Sequence, residues 1–122
     1  MIQAGTNVTI ADNSGARQGR VLKVPTGSKR RYAYLGDVVI LSVKSAEPRK
    51  AVKKKAVVTG VVVRQKVAYR RKDGSYIRFD DNAVVLIDKK GEPVGGRVFG
   101  PIPREVSERG YQKISSLAPE VI

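Results

Sequence analysis

Short apolar runs with β-branched residues recur along the first ninety positions, and turn residues separate them, which is the signature of many short strands. Val8-Thr9-Ile10 predicts a first strand. Asp12-Asn13-Ser14-Gly15 follows as a turn, because Asn and Asp bond their own backbone and Gly accepts positive φ. Gly19 to Val24 predicts a second strand that stops at Pro25-Thr26-Gly27. Asp37 to Ser45 predicts a third, with apolar residues at both parities, which suits a central strand. Ala56 to Val67 predicts a fourth, with Val61 and Val63 opposite Val62 and Arg64 and one face buried. Gly60 inside it predicts a bulge or barrel corner. Lys72-Asp73-Gly74-Ser75 predicts a type I′ hairpin turn. Its arms, Val67 to Arg71 and Tyr76 to Phe79, alternate basic with aromatic or aliphatic residues, as in a projecting ribbon. Ala83 to Ile87 is a further strand.

The pattern changes near residue 100. Pro103 precedes Arg104 to Arg109 and Gly110 follows, the boundary signals of a short helix. Glu105 and Arg109 stand at i, i+4, a spacing that predicts an ion pair. Tyr111 to Leu117 predicts a second short helix that ends before Ala118-Pro119. The fold class is therefore mainly β, a small barrel with a projecting ribbon and short C-terminal helices. One domain is expected over residues 1–122, with barrel and ribbon in 1–100 and a short helical region in 101–122.

Charge then dominates. Among 122 residues, 24 Lys and Arg stand against 11 Asp and Glu, a net charge of +13. An excess this large repels itself unless a polyanion neutralises it, and nucleic acid fits better than an anionic membrane. The charge is uneven: residues 1–78 hold 18 basic and 4 acidic side chains, net +14, and residues 79–122 hold 6 and 7, net −1. That division suggests one surface for nucleic acid and a second for proteins.

The basic residues form three clusters. Arg17, Arg20, Lys23, Lys29, Arg30 and Arg31 make the first. Arg49, Lys50, Lys53, Lys54 and Lys55 make the second. Arg64, Lys66, Arg70, Arg71, Lys72 and Arg78 make the third. Arg grips phosphate bidentately and Lys acts as a mobile point charge, so all seventeen are candidate RNA ligands. Tyr32, Tyr34, Tyr69 and Tyr76 lie among them and offer rings for stacking, or cover strand edges.

The inventory also excludes chemistry. The chain has no His and no Cys, which removes Ser-His-Asp and Cys-His catalysis and thiolate zinc sites. Asp80-Asp81 is the sole carboxylate pair that suggests a Mg²⁺ nuclease, and a capped loop explains it better. Gly95-Gly96-Arg97-Val98-Phe99-Gly100 lacks the spacing of a dinucleotide fingerprint. No enzyme activity, cofactor or metal is expected. Met1 to Ile10 lacks the apolar core of a signal peptide, and no apolar run is long enough to span a bilayer. The expectation is a cytosolic protein with no membrane partner. A free-standing single-strand-binding barrel is the alternative RNA-binding class.

Residues 60–86 carry a longer pattern: Gly60-Val61-Val62-Val63, nine residues, Asp73-Gly74, four residues, Phe79, two residues, Asn82, two residues, Val85-Leu86. Met1-Ile2-Gln3, Ala11 to Arg17, Arg30 to Ala33, Gly36-Asp37-Val38, Arg97 to Pro101 and Ser116 to Val121 accompany it in order. Together they resemble the universal ribosomal large-subunit protein L-fourteen family, of bacterial or organellar type. The resemblance implies a five-stranded barrel, a β-ribbon and short C-terminal helices. It implies a structural protein of the large ribosomal subunit, in the cytoplasm or an organelle, that binds large-subunit rRNA and bridges to small-subunit rRNA. It implies proteins L-nineteen and L-three as neighbours, and a ribosome-silencing factor docking on the C-terminal surface. Arg97, Phe99, Arg104 and Lys113 are the protein-facing or intersubunit candidates on that surface. Two departures stand out: Gly96 where many relatives have Thr, and Lys55-Ala56 where a Gly-Asp pair is common.

Overall fold

The computed structural model describes residues 2–25, 31–50 and 52–122. Nine strands and two helices occur among them: β1 (Asn7–Ile10), β2 (Ala16–Lys23), β3 (Val38–Ala46), β4 (Val57–Arg64), β5 (Tyr69–Arg70), β6 (Tyr76–Ile77), β7 (Ala83–Ile87), β8 (Pro101–Ile102), α1 (Arg104–Glu108), α2 (Gln112–Leu117) and β9 (Glu120–Val121). Five strands close a barrel in the order β1-β2-β3-β4-β7. All its pairings are antiparallel except β1 with β7, which closes it in parallel. Closure removes the free edges that short apolar strands would otherwise expose.

The barrel is filled by one parity of its strands: Val8, Ile10, Val21, Val39, Leu41, Val43, Val62, Val84 and Leu86 point inward. Ile2, fully buried, joins this core and pairs with Ala33. The other parity of β4 and β7 is buried as well. Val61, Val63, Val85 and Ile87 form a second core with Ile102, Val106 and Ile114 from the C-terminal segment. This corrects the reading of β4 as a strand with one buried face. The α1–α2 pair roofs its outer side, so Gly60–Arg64 is buried throughout.

Gly60 is also not the site of a bulge. The ladder passes through it unbroken, Val39 opposite on one side and Leu86 on the other. The irregularity with β7 falls between Val62 and Arg64. Gly60 serves close approach instead: a Cβ there would lie 3.3 Å from Leu41 Cδ2 and from Val84 Cβ. The barrel's bends are concentrated in β2, where register shifts occur at Ala16/Gln18, Gln18/Gly19 and Val21/Lys23.

The ribbon is a separate two-stranded sheet, β5 with β6. Its turn differs from the expected type I′, which needs positive φ at both central residues. Among the tip residues positive φ occurs at Gly74 alone (90°), and Gly74 N–H donates to Arg71 O at 3.1 Å. That is a type I turn closed by a left-handed glycine, the three-residue hairpin loop. Asp73 accepts from Ser75 N–H (2.9 Å) and Ser75 Oγ–H (2.6 Å), and those bonds hold its carboxyl below the ordinary value.

The Asp12 turn is tied into the barrel wall. Asp12 is 4% exposed, and its carboxylate accepts from Ser14 Oγ–H (2.6 Å), Ser14 N–H (3.2 Å) and Leu86 N–H (3.0 Å). Burial pushes its carboxyl above the ordinary 3.8, against the pull of those donors. The folded state therefore holds this proton more tightly than the unfolded chain does. Its contribution to stability is present below about 3.8 and is lost as pH rises through the raised folded value. Wild-type stability relative to Asp12→Asn is expected to decline as pH rises through that window, then to level off. Paired melting curves across acid to neutral pH check the sign.

Candidate nucleic-acid interface

The second basic cluster lies on the loop that joins β3 to β4. Arg49, Lys50, Lys53, Lys54 and Lys55 are all exposed. Among the described residues, no carboxylate lies within ion-pair distance of any of them. The loop is held at both ends by backbone bonds: Glu47 N–H to Gly15 O at 2.7 Å and Lys55 N–H to Val43 O at 2.8 Å. Val52, with 9% exposure, anchors it to the barrel core. The cations therefore project from a fixed frame.

Two of them sit on strained backbone. Arg49 (φ 69°) and Lys55 (φ 71°) are the two non-glycine residues with positive φ among those described. Ala56 N–H donates to Lys53 O at 3.2 Å, which places Lys55 at the third position of a type II turn, where Gly is favoured. A Cβ in the left-handed region costs roughly 1–2 kcal/mol, partly offset by the greater unfolded freedom of Gly. Lys55→Gly is expected to stabilise the protein by about 0.5–1 kcal/mol. Urea denaturation checks this, and a destabilised variant would contradict it.

In the first cluster, Arg17, Arg20, Lys23 and Arg31 are exposed. Arg17 pairs with Glu47 at 3.1 Å, and Arg20 Nε–H donates to Gly5 O at 3.3 Å. Lys29 and Arg30, like the expected Pro25-Thr26-Gly27 stop beyond Pro25, lie outside the described residues.

The third cluster divides. Lys66, Arg70, Lys72 and Arg78 are exposed on or beside the ribbon. Arg64 is buried rather than exposed: it is 8% exposed, and its guanidinium makes four hydrogen bonds within the protein. Nε–H and Nη2–H donate to the two Asp81 oxygens at 3.0 and 3.3 Å, and Nη1–H donates to Phe99 O at 2.8 Å. It ties β4 to the segment leading into β8. Arg71 also turns inward. Its Nε lies 2.7 Å from Glu105 Oε1, an ionic contact without hydrogen-bond alignment, and its Nη2–H donates to Ile122 O at 2.6 Å. Sequence spacing could not distinguish these two arginines from their neighbours, because both partners lie far along the chain.

The expected Glu105–Arg109 pair does not form. Glu105 faces Arg71, and Arg109 Nη2–H donates to the fully buried Asp37 at 2.5 Å. Both long-range pairings fasten α1 to the rest of the molecule. Asp37 also accepts Tyr34 N–H at 2.8 Å. Asp81 is committed to Arg64, and among the described residues no group of three or more acidic side chains could hold a metal ion.

The C-terminal third presents a different surface. Arg97, Phe99, Arg104 and Lys113 are all exposed. Lys113 pairs with Glu92 at 2.5 Å and Arg104 lies 3.8 Å from Asp73. Arg97 is positioned by its backbone, whose N–H donates to Asn13 Oδ1 at 3.0 Å. Among the tyrosines, Tyr76 is 67% exposed, whereas Tyr69 packs against the barrel core. No helix among the described residues is long and apolar enough to cross a membrane. A family model described as ribosomal protein L14p/L23e matches residues 1–122, the whole chain.

Proposed function

The chain belongs to the ribosomal protein L14p/L23e family of structural proteins of the large ribosomal subunit, and we propose that it braces large-subunit rRNA through its basic loops and meets the small subunit through its neutral C-terminal third. The observation that carries this reading is the density of unpaired cations on one loop. The five cations of the β3–β4 loop have no carboxylate partner among the described residues. Unpaired cations on a fixed loop bind phosphate without first breaking an internal contact. The RNA-facing set in this reading is Arg17, Arg20, Lys23, Lys29, Arg30, Arg31, Arg49, Lys50, Lys53, Lys54, Lys55, Lys66, Arg70, Lys72 and Arg78, with Arg64 and Arg71 reassigned to the fold.

The mechanism is electrostatic and geometric. Phosphates displace their counterions onto the protein's charge, so binding weakens steeply with salt. Selectivity comes from RNA shape rather than base edges. Proteins L-nineteen and L-three are the proposed neighbours, and small-subunit rRNA the proposed partner across the interface. Arg97 and Lys113 are the proposed seat of a silencing factor where one exists. The protein acts on the ribosome, in cytoplasm or organelle, without catalysis.

The test has two arms. The protein should co-sediment with large subunits and leave them only at high salt. Arg97→Ala with Lys113→Ala should impair joining to small subunits while incorporation persists. Salt-insensitive rRNA binding, or loss of incorporation with normal joining, would contradict the reading.

A further inference from the structure

The β3–β4 loop folds back over the Asp12–Gly15 turn, and the two border an open hollow of about 300 Å³, at the lower end for ligand pockets. Its walls bring together groups far apart in sequence: Arg17, Lys50, Asn13 and Phe99, over a floor that includes Ile10 and Ala16. Several independent features shape it. Gly15 has φ 110°, and a Cβ there would lie 2.2 Å from Lys50 Cβ, so the absence of a side chain admits the loop. Arg49, left-handed at φ 69°, turns the chain so that Lys50 follows onto that glycine. Phe99 is 52% exposed, yet its backbone is fixed by a 2.6 Å bond from its N–H to Ala11 O. A large, half-exposed aromatic ring on an anchored backbone therefore borders a hollow lined by Arg17 and Lys50.

We propose that this cavity seats one unstacked nucleotide of an RNA strand, its base on the Phe99 ring and its phosphate between Arg17 and Lys50. The proposal rests on the RNA-binding reading above and identifies the partner of Phe99 as a nucleotide rather than a protein. Asp12 and Glu47 balance the two cations of the lining, and each is accounted for. Two exposed cations line the hollow, and Asp12 is occupied by internal donors. Glu47, the remaining acid, pairs with Arg17 through side chains that are 66% and 41% exposed, a contact that a phosphate can displace. A base offers Phe99 the flat face that an aliphatic side chain lacks, and such stacking tolerates any base.

The test uses the full chain and a hairpin RNA with one bulged nucleotide, end-labelled for anisotropy. With 2-aminopurine in the bulge, wild type should quench its fluorescence. Phe99→Ala should abolish the quench and weaken binding by about 5- to 100-fold, and Phe99→Tyr should restore both. An abasic bulge should weaken wild type to the same level, with no further loss in Phe99→Ala. Lys50→Gln should lower affinity for both RNAs alike, as loss of a phosphate contact requires. The seat is overturned if Phe99→Ala binds as wild type does, which would assign the ring to a protein partner. It is also overturned if the variant weakens the bulged and abasic RNAs equally. Salt-independent binding by every variant would instead remove the RNA reading itself.

Discussion

Replacing Arg71 by Ala is expected to destabilise the protein by about 3–5 kcal/mol. Arg71 and Glu105 are 14% and 10% exposed at their side chains and lie 2.7 Å apart. Removing the guanidinium leaves a buried carboxylate without its counter-charge, and Glu105 Oε2 already has no hydrogen-bond partner. It also removes the 2.6 Å bond to Ile122 O that fastens the ribbon to the β8–β9 pair. The double replacement Arg71→Ala with Glu105→Ala should recover much of the loss, because no unpaired charge then remains buried. Urea unfolding of the four proteins in the cycle checks this. A single-variant loss under about 1 kcal/mol would mean that water reaches the pair freely.

The second large effect concerns affinity. Lys53→Gln, Lys54→Gln and Lys55→Gln combined should weaken rRNA binding by roughly 100-fold near 0.15 M salt, taking one counterion released per lysine. The slope of log affinity against log salt should become shallower by about 2–3. The fold should survive, because the three side chains are exposed and have no carboxylate partner among the described residues. Filter binding at four salt concentrations, beside a melting curve, separates affinity from stability. An unchanged slope would remove this loop from the interface. With Lys55→Gly, the series also asks whether charge at that position is retained at the expense of stability.

Local pattern made much of the architecture legible. Alternating apolar runs bounded by turn residues located the five barrel strands, since side-chain parity and turn chemistry are properties of neighbouring residues. The Pro103 and Gly110 signals located α1 for the same reason. The type of the ribbon turn was not legible: Asp-Gly fits both hairpin loops, and the register of the short arms chose between them. The double burial of β4 was not legible either, because it depends on where α1 and α2 pack.

The sequence by itself determined that the protein is a small, basic β protein. It determined also that His- and Cys-dependent chemistry is absent and that the net positive charge is confined to residues 1–78. These follow from inventory and local order. Only the tertiary structure decided which cations are free. Within one cluster, Arg64 and Arg71 are drawn inward by Asp81 and Glu105, while Arg70 and Lys72 remain in solvent. It also decided that Lys50, Arg17 and Phe99 share one hollow. The physical reason is common to both: an ion pair or a cavity wall depends on distance in space, and chain closure brings together residues that sequence separation hides.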